Sequence, residues 1–242
     1  MPAALSALWL LLAAAFLAAL LLELLQAPRG GPRPGLFQDL LRYGKTKSGC
    51  GQRPAWLRLL DVPKRWFSHF YILSVVWNGL LLLLLIQALF LARPFPIWLR
   101  DLLSALGGAS QNQDVGKDLF MQICWYHALG IIMYIWASVH QHRCHVILAN
   151  LRKSKSGKVV NLSHSIPFGD WFERVSCPHY FAELLIYVSM AITFGFQNLT
   201  WWLVVMYVLF NQALAAVLCH EFYVNNFSCY PTCRKAFIPF LF

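Results

Sequence analysis

Residues 140–145 read "HQHRCH", three imidazoles and a thiol within six positions. Such a cluster first raises metal coordination, because histidine and cysteine are favoured zinc ligands. Helical spacing argues against it. At 100° per residue His140 and Cys144 share one face, Gln141 and His145 share another, and His142 points away from both. The three histidines do not converge, so no metal site is expected. The continuation, "VILANLRKSKSG", offers different chemistry. A helix end with imidazoles, followed by Arg152, Lys153 and a basic loop, presents cationic donors suited to a phosphate-bearing ligand. His179 and Glu183 form a second pair, four residues apart and therefore on one face of a helix. Arg234 and Lys235 form a third, inside "YPTCRKAFIPFLF" at 230–242. An apolar, proline-anchored segment behind two cations is expected to pack on the body of the protein and hold them in place.

The elements that position these groups follow from composition. The chain has 242 residues, 59% hydrophobic and only 12% charged, with a mean hydropathy of +0.54. Soluble domains carry about 25% charged residues, so this is an integral membrane protein of all-α class, a polytopic transmembrane helix bundle. Five stretches are apolar enough to span: about 4–25, 70–92, 119–139, 180–197 and 201–219. The formal charge of +10 lies in the connections, which excludes nucleic acid as the explanation and points to membrane orientation. Nine Lys and Arg fall in 26–69, three in 93–118, six in 140–179, none in 198–200, and Arg234 and Lys235 in the tail. The positive-inside rule then makes 26–69, 140–179 and the C-terminus cytosolic. On that topology the sequons at Asn161, Asn198 and Asn226 are not expected to be glycosylated. Seven cysteines without a CxxC pair give no disulfide framework.

Ionisable groups at membrane depth are costly and mark functional candidates. Glu23 and His220 fall at helix ends, where a polar tip reaches the interface. His127, beside Trp125 and Tyr126, reads as a hydrogen-bonded core histidine. Glu183 is read as functional. No Walker, GxGxxG, GxSxG or HExxH sequence occurs, so any nucleotide site is not of Rossmann type.

The segments "FQDLLRYGKTK", "DVPKRWFSHFYILSVVWNG", "HVILANLRK", "IPFGDWFERVS", "TFGFQNLTWWLVV" and "YPTCRKAFIPFLF" resemble the steroid 5-alpha-reductase family, in its polyprenol (polyprenal) reductase branch. The resemblance covers nearly the whole chain as one membrane domain, with 119–242 resembling the family's C-terminal reductase part. It implies a multi-pass enzyme of the endoplasmic reticulum membrane. NADPH would be the cofactor and a long-chain polyisoprenoid the substrate, in dolichol synthesis for protein N-glycosylation. Steroid enone reduction, and a catalytically inactive shortened membrane protein, are the alternatives. The resemblance assigns cofactor binding to Gln141, His145, Arg152, His164, His179, Glu183, Tyr223, Tyr230, Arg234 and Lys235. It aligns Asp61 with the substrate-side acidic position and so makes it the catalytic candidate. Ser165 stands where the family has arginine and His179 where it has asparagine. Family members have about seven spans; near residues 102–120 this chain lacks a block of about two, an even number that preserves the topology.

Chemistry constrains the substrate further. Hydride adds to a carbon–carbon double bond only where the charge has a sink. An allylic alcohol offers none, whereas an α,β-unsaturated aldehyde places the charge on its oxygen. Polyprenal is therefore the expected direct substrate, with an acid near that oxygen.

Overall fold

A computed structural model describes residues 3–26, 66–91, 93–105, 123–153 and 165–242. Among them the secondary structure is helical, with one isolated parallel bridge between Val175 and Lys235. The helices are α1 (Ala3–Gln26), α2 (Trp66–Phe90), α3 (Ile97–Ala105), α4 (Trp125–Asn150), α5 (Pro178–Thr193) and α6 (Leu199–Asn226), with a 3-10 turn at Asp170–Glu173. Three of the five expected spans are long and apolar enough to cross a bilayer: Ala4–Leu25, Ser68–Ala88 and Leu199–Asn226. The third expected span lies in α4, a 26-residue helix whose second half is the polar "HQHRCH" region. The fourth is α5, which at 16 residues is about 24 Å long, short of a typical hydrocarbon core of about 30 Å.

The described chain divides into two compact units. In one, α2 is apolar along most of its 25 residues, as a membrane span requires. Pro94 and Pro96 follow it, and each lacks the amide hydrogen that would continue the helix. Leu99 of α3 is buried, and Trp98 meets Trp77 of α2 at 6.0 Å between ring centroids.

The other unit holds α1, α4, α5, α6 and the tail, packed in the order α4–α5–α6–α1. The directions of the helices follow from their contacts. Ser6 and Thr200 share a hydroxyl hydrogen bond of 2.9 Å, and Trp9 and Phe16 both pack on Tyr207, so α1 and α6 run parallel. Between α5 and α6 a turn at 194–198, with Gly195 at φ 96°, reverses the chain. Phe194 stacks on Trp201 and Trp125 approaches Phe196 at this end, in the manner of an interfacial aromatic belt. Arg143, Arg152, Lys153, Arg174, Arg234 and Lys235 lie on the segments of the opposite end. His127, flagged for its depth, is explained locally: its Nδ1 accepts the Cys124 N–H at 2.9 Å and caps the start of α4.

Helices α4 and α5 approach through small residues. Ala137, Ala182, Ser189 and Ala191 are buried. A Cβ on Gly130 would collide with Thr193 Oγ1 and the Ser189 carbonyl oxygen. In lipid, where apolar burial gives no preference for helix contact, such close backbone approach supplies the packing energy. Gly130→Ala is therefore expected to lower the melting temperature of the detergent-solubilised protein, by roughly 1–3 kcal/mol of overpacking. Gly79→Ala, whose Cβ would meet open space on α2, is expected to leave it unchanged or slightly raised. Equal melting temperatures for the two variants would contradict this packing.

Candidate functional site

The segment from Ser165 to Cys177 supports everything at the basic end. Gly169 at φ 95° and Asp170 at φ 51° turn the chain into the short 3-10 helix. The Gly169 N–H donates to Glu173 Oε1 at 2.7 Å, which closes that turn. The chain then runs extended past Val175 and enters α5 at Pro178, the residue type best suited to a first helical position. Beside it lies the C-terminal tail. Lys235 N–H donates to the Arg174 carbonyl at 2.9 Å, and Ser176 N–H to the Lys235 carbonyl at 2.8 Å. Phe237 is fully buried in the core that α5 and α6 share. The tail is thus docked, as its apolar, proline-flanked composition predicts.

Docking places Arg234 inside the protein. Its side chain is fully buried and its Nη1 donates to the Pro167 carbonyl at 2.9 Å. The guanidinium lies over the Phe168 ring at 4.8 Å and the Tyr230 ring at 5.4 Å. Glu173 Oε2 stands 3.7 Å from Nη2, too far for a hydrogen bond, so Nη2 and Nε have no hydrogen-bond partner among the described residues. Tyr223 and Tyr230 stack face to face, 5.4 Å apart with 6° between planes. Ser176 Oγ lies 2.6 Å from both Tyr230 Oη and His220 Nδ1. Burial pushes the Tyr230 phenol above its usual value, so it stays protonated.

A second cluster adjoins the same segment. His145 of α4 and His179 of α5 have ring centroids 5.6 Å apart, and Phe172 and Tyr180 flank His179. Partial burial, then the neighbouring His142, holds His145 below the usual histidine value, so it is neutral at neutral pH. Glu183 follows one turn along α5 and is half-buried.

The opening cluster resolves as its periodicity predicts. Cys144 is buried, His142 is exposed, and His140 lies against Trp171 and Trp136 at 4.6 and 4.7 Å. Burial, then Asp170, pushes the Cys144 thiol up to about 11. No group of three His, Cys, Asp or Glu among the described residues is placed to hold a metal ion.

Of the residues singled out from sequence, His145 meets His179, and Tyr223, Tyr230 and Arg234 form one cluster. Gln141 is half-buried on α4, and the Arg152 and Lys235 side chains are exposed. Asp61 and His164 lie outside the described residues. Sequence reading overlooked Ser176, a lone serine with no motif around it, and placed His220 at a solvated helix end. The structure instead carries α6 on to Asn226 and ties His220 to Ser176 inside the protein.

Comparison with known proteins matches residues 107–242 to the family model described as 3-oxo-5-alpha-steroid 4-dehydrogenase. The chain is 49% identical to a polyprenal reductase of Ailuropoda melanoleuca, over 98% of this chain and 96% of the relative. It is 48% identical to that of Homo sapiens over 98% and 96%, and 47% identical to that of Xenopus tropicalis over 97% and 98%. These alignments run over 306, 305 and 302 residues, so each leaves at least 60 positions unmatched by the 242 residues here. The internal shortening read from the sequence accords with this; most of its expected junction, 106–120, lies outside the described residues. With the family model covering more than half of the chain and relatives near 50% identity along nearly all of it, this multi-pass helical membrane protein belongs to the 3-oxo-5-alpha-steroid 4-dehydrogenase family of oxidoreductases.

Proposed function

We propose that this chain is a polyprenal reductase. It reduces the α-isoprene double bond of polyprenal with NADPH, the reductive step between polyprenol and dolichol. The observation that carries the reading is the identity of 45–49% with seven polyprenal reductases, across 95–98% of their lengths. The whole chain acts as one membrane domain, in the endoplasmic reticulum membrane. Its basic end and C-terminus face the cytosol, where the cofactor is available.

The residues at the basic end fit a dinucleotide phosphate. Arg234 is a buried cation whose Nε and Nη2 lack hydrogen-bond partners among the described residues, an arrangement that an anion would complete. Glu173 neutralises it only from a distance and is itself more than half exposed. Arg152 and Lys235 add exposed cations, while His145, His179, Glu183 and the stacked Tyr223–Tyr230 pair supply polar and aromatic surfaces for the rest of the molecule. NADPH, when bound, supplies the hydride. The chain's part is to orient it, to exclude water, and to hold a proton near the substrate's carbonyl oxygen, where negative charge develops.

Two tests follow. Purified enzyme offered polyprenal or polyprenol with NADPH is expected to reduce the aldehyde; direct reduction of the alcohol with no aldehyde intermediate, or of a steroid enone alone, would refute the substrate assignment. In fluorescence titrations of NADPH, Arg234→Ala is expected to weaken binding about tenfold or more, since hydrogen bonds from a charged donor contribute roughly 1.5–3 kcal/mol. Lys235→Ala removes an exposed cation and is expected to cost a smaller factor that shrinks as salt is raised. Unchanged affinity in both variants would remove these residues from the cofactor site.

A further inference from the structure

Arg234 has more hydrogens than its described neighbours take. Nη1 donates to the Pro167 carbonyl at 2.9 Å, while Nη2 and Nε have no hydrogen-bond partner among the described residues. Glu173 approaches from the same short segment as Pro167, and its two carboxylate oxygens are divided between tasks. Oε1 accepts the Gly169 N–H at 2.7 Å and closes the turn, whereas Oε2 stands 3.7 Å from Arg234 Nη2. That distance exceeds the reach of an N–H···O bond, about 3.2 Å, yet lies where opposite charges attract. The two partners differ in burial: the Arg234 side chain is fully buried, and that of Glu173 is 55% exposed. A buried guanidinium is costly unless an opposite charge compensates it. Glu173 compensates the charge and leaves the N–H groups of Nη2 and Nε unused.

We infer that Glu173 is the resident counter-anion of Arg234: it offsets the buried charge in the cofactor-free protein and opposes the phosphate that Arg234 binds, so its charge sets cofactor affinity. Two features of the geometry carry this. The pairing acts through space without a hydrogen bond. A phosphate oxygen that takes Nη2 or Nε at hydrogen-bond distance therefore forms the stronger contact. Glu173 is also already more than half in water, so its carboxylate has a solvated position available when the phosphate arrives. Its negative charge nevertheless faces that phosphate, and like charges at short range repel. One carboxylate thus stabilises the empty protein and weakens binding of the anion. The affinity part rests on the reading of Arg234 as a phosphate-binding residue; the stability part stands without it.

Glu173→Gln tests both parts, because the amide oxygen can still accept the Gly169 N–H while the charge is gone. Measured on the full chain in detergent, the cofactor-free variant is expected to melt below wild type. Its NADPH affinity by fluorescence titration is expected to be about two- to fivefold tighter at low salt, the scale of an ion pair with one exposed partner. That gain is expected to shrink as salt is raised. In an Arg234→Gln background the same substitution is expected to leave the melting temperature unlowered, since no buried cation remains to compensate. An unchanged melting temperature in Glu173→Gln, or an equal loss in both backgrounds, would overturn the counter-anion. Should Glu173→Gln alone give no folded protein, recovery of folding in the double variant supports the pairing and its absence refutes it. A lowered melting temperature with NADPH affinity unchanged or weaker would overturn the competition alone. A wild-type chain that binds no NADPH would refute the cofactor reading, and the melting temperatures would still decide the pairing.

Discussion

Two main-chain hydrogen bonds across the Val175–Lys235 bridge fasten the tail to the segment before α5, and the candidate site depends on them. Without them Arg234 would have no reason to lie inside the protein, and Tyr230 would not meet Tyr223. Backbone groups are the natural fastening here. Each must be paired once buried, and a pairing made through the main chain leaves the side chains on both strands free to form the site. Phe237, fully buried behind the bridge, anchors it with apolar contact.

The bilayer sorts the remaining groups. Charge is expensive in hydrocarbon, so within the larger unit the described lysines and arginines lie on one end and an aromatic cluster occupies the other. Parallel α1 and α6, and antiparallel α4 and α5, carry the chain between those ends with the alternation that the Lys and Arg distribution demands. Between them the interior packs by closeness. Gly130 faces the backbone of α5 with no room for a methyl group, and short polar side chains are satisfied within their own helices. Ser189 donates to the Ile186 carbonyl at 2.6 Å, and Thr193 to the Ser189 carbonyl at 2.9 Å.

Histidine is put to different uses in this chain, each set by its surroundings. His127 accepts a backbone N–H and caps a helix. His140 fills an aromatic niche between Trp136 and Trp171, with Asp170 at 4.0 Å. His145 faces His179 across the α4–α5 interface. A sequence that crowds histidines near a helix end therefore need not be gathering ligands for one centre.

The sequence by itself determined the class of the molecule, its long apolar helices and the separation of the "HQHRCH" side chains. These follow from local and additive properties: apolar length, residue spacing and the cost of charge in lipid. The family was legible too, because "YPTCRKAFIPFLF" and its companion segments are specific strings. Burial of Arg234 was half legible, since an apolar tail must pack somewhere but composition does not say against what. The meeting of Ser176, His220 and Tyr230 was decided by tertiary structure alone. Those residues are 44 and 54 positions apart in sequence, and a single serine leaves no periodic or compositional trace. Only the docking of the tail, a long-range backbone pairing whose register no local propensity encodes, brings them within hydrogen-bond reach.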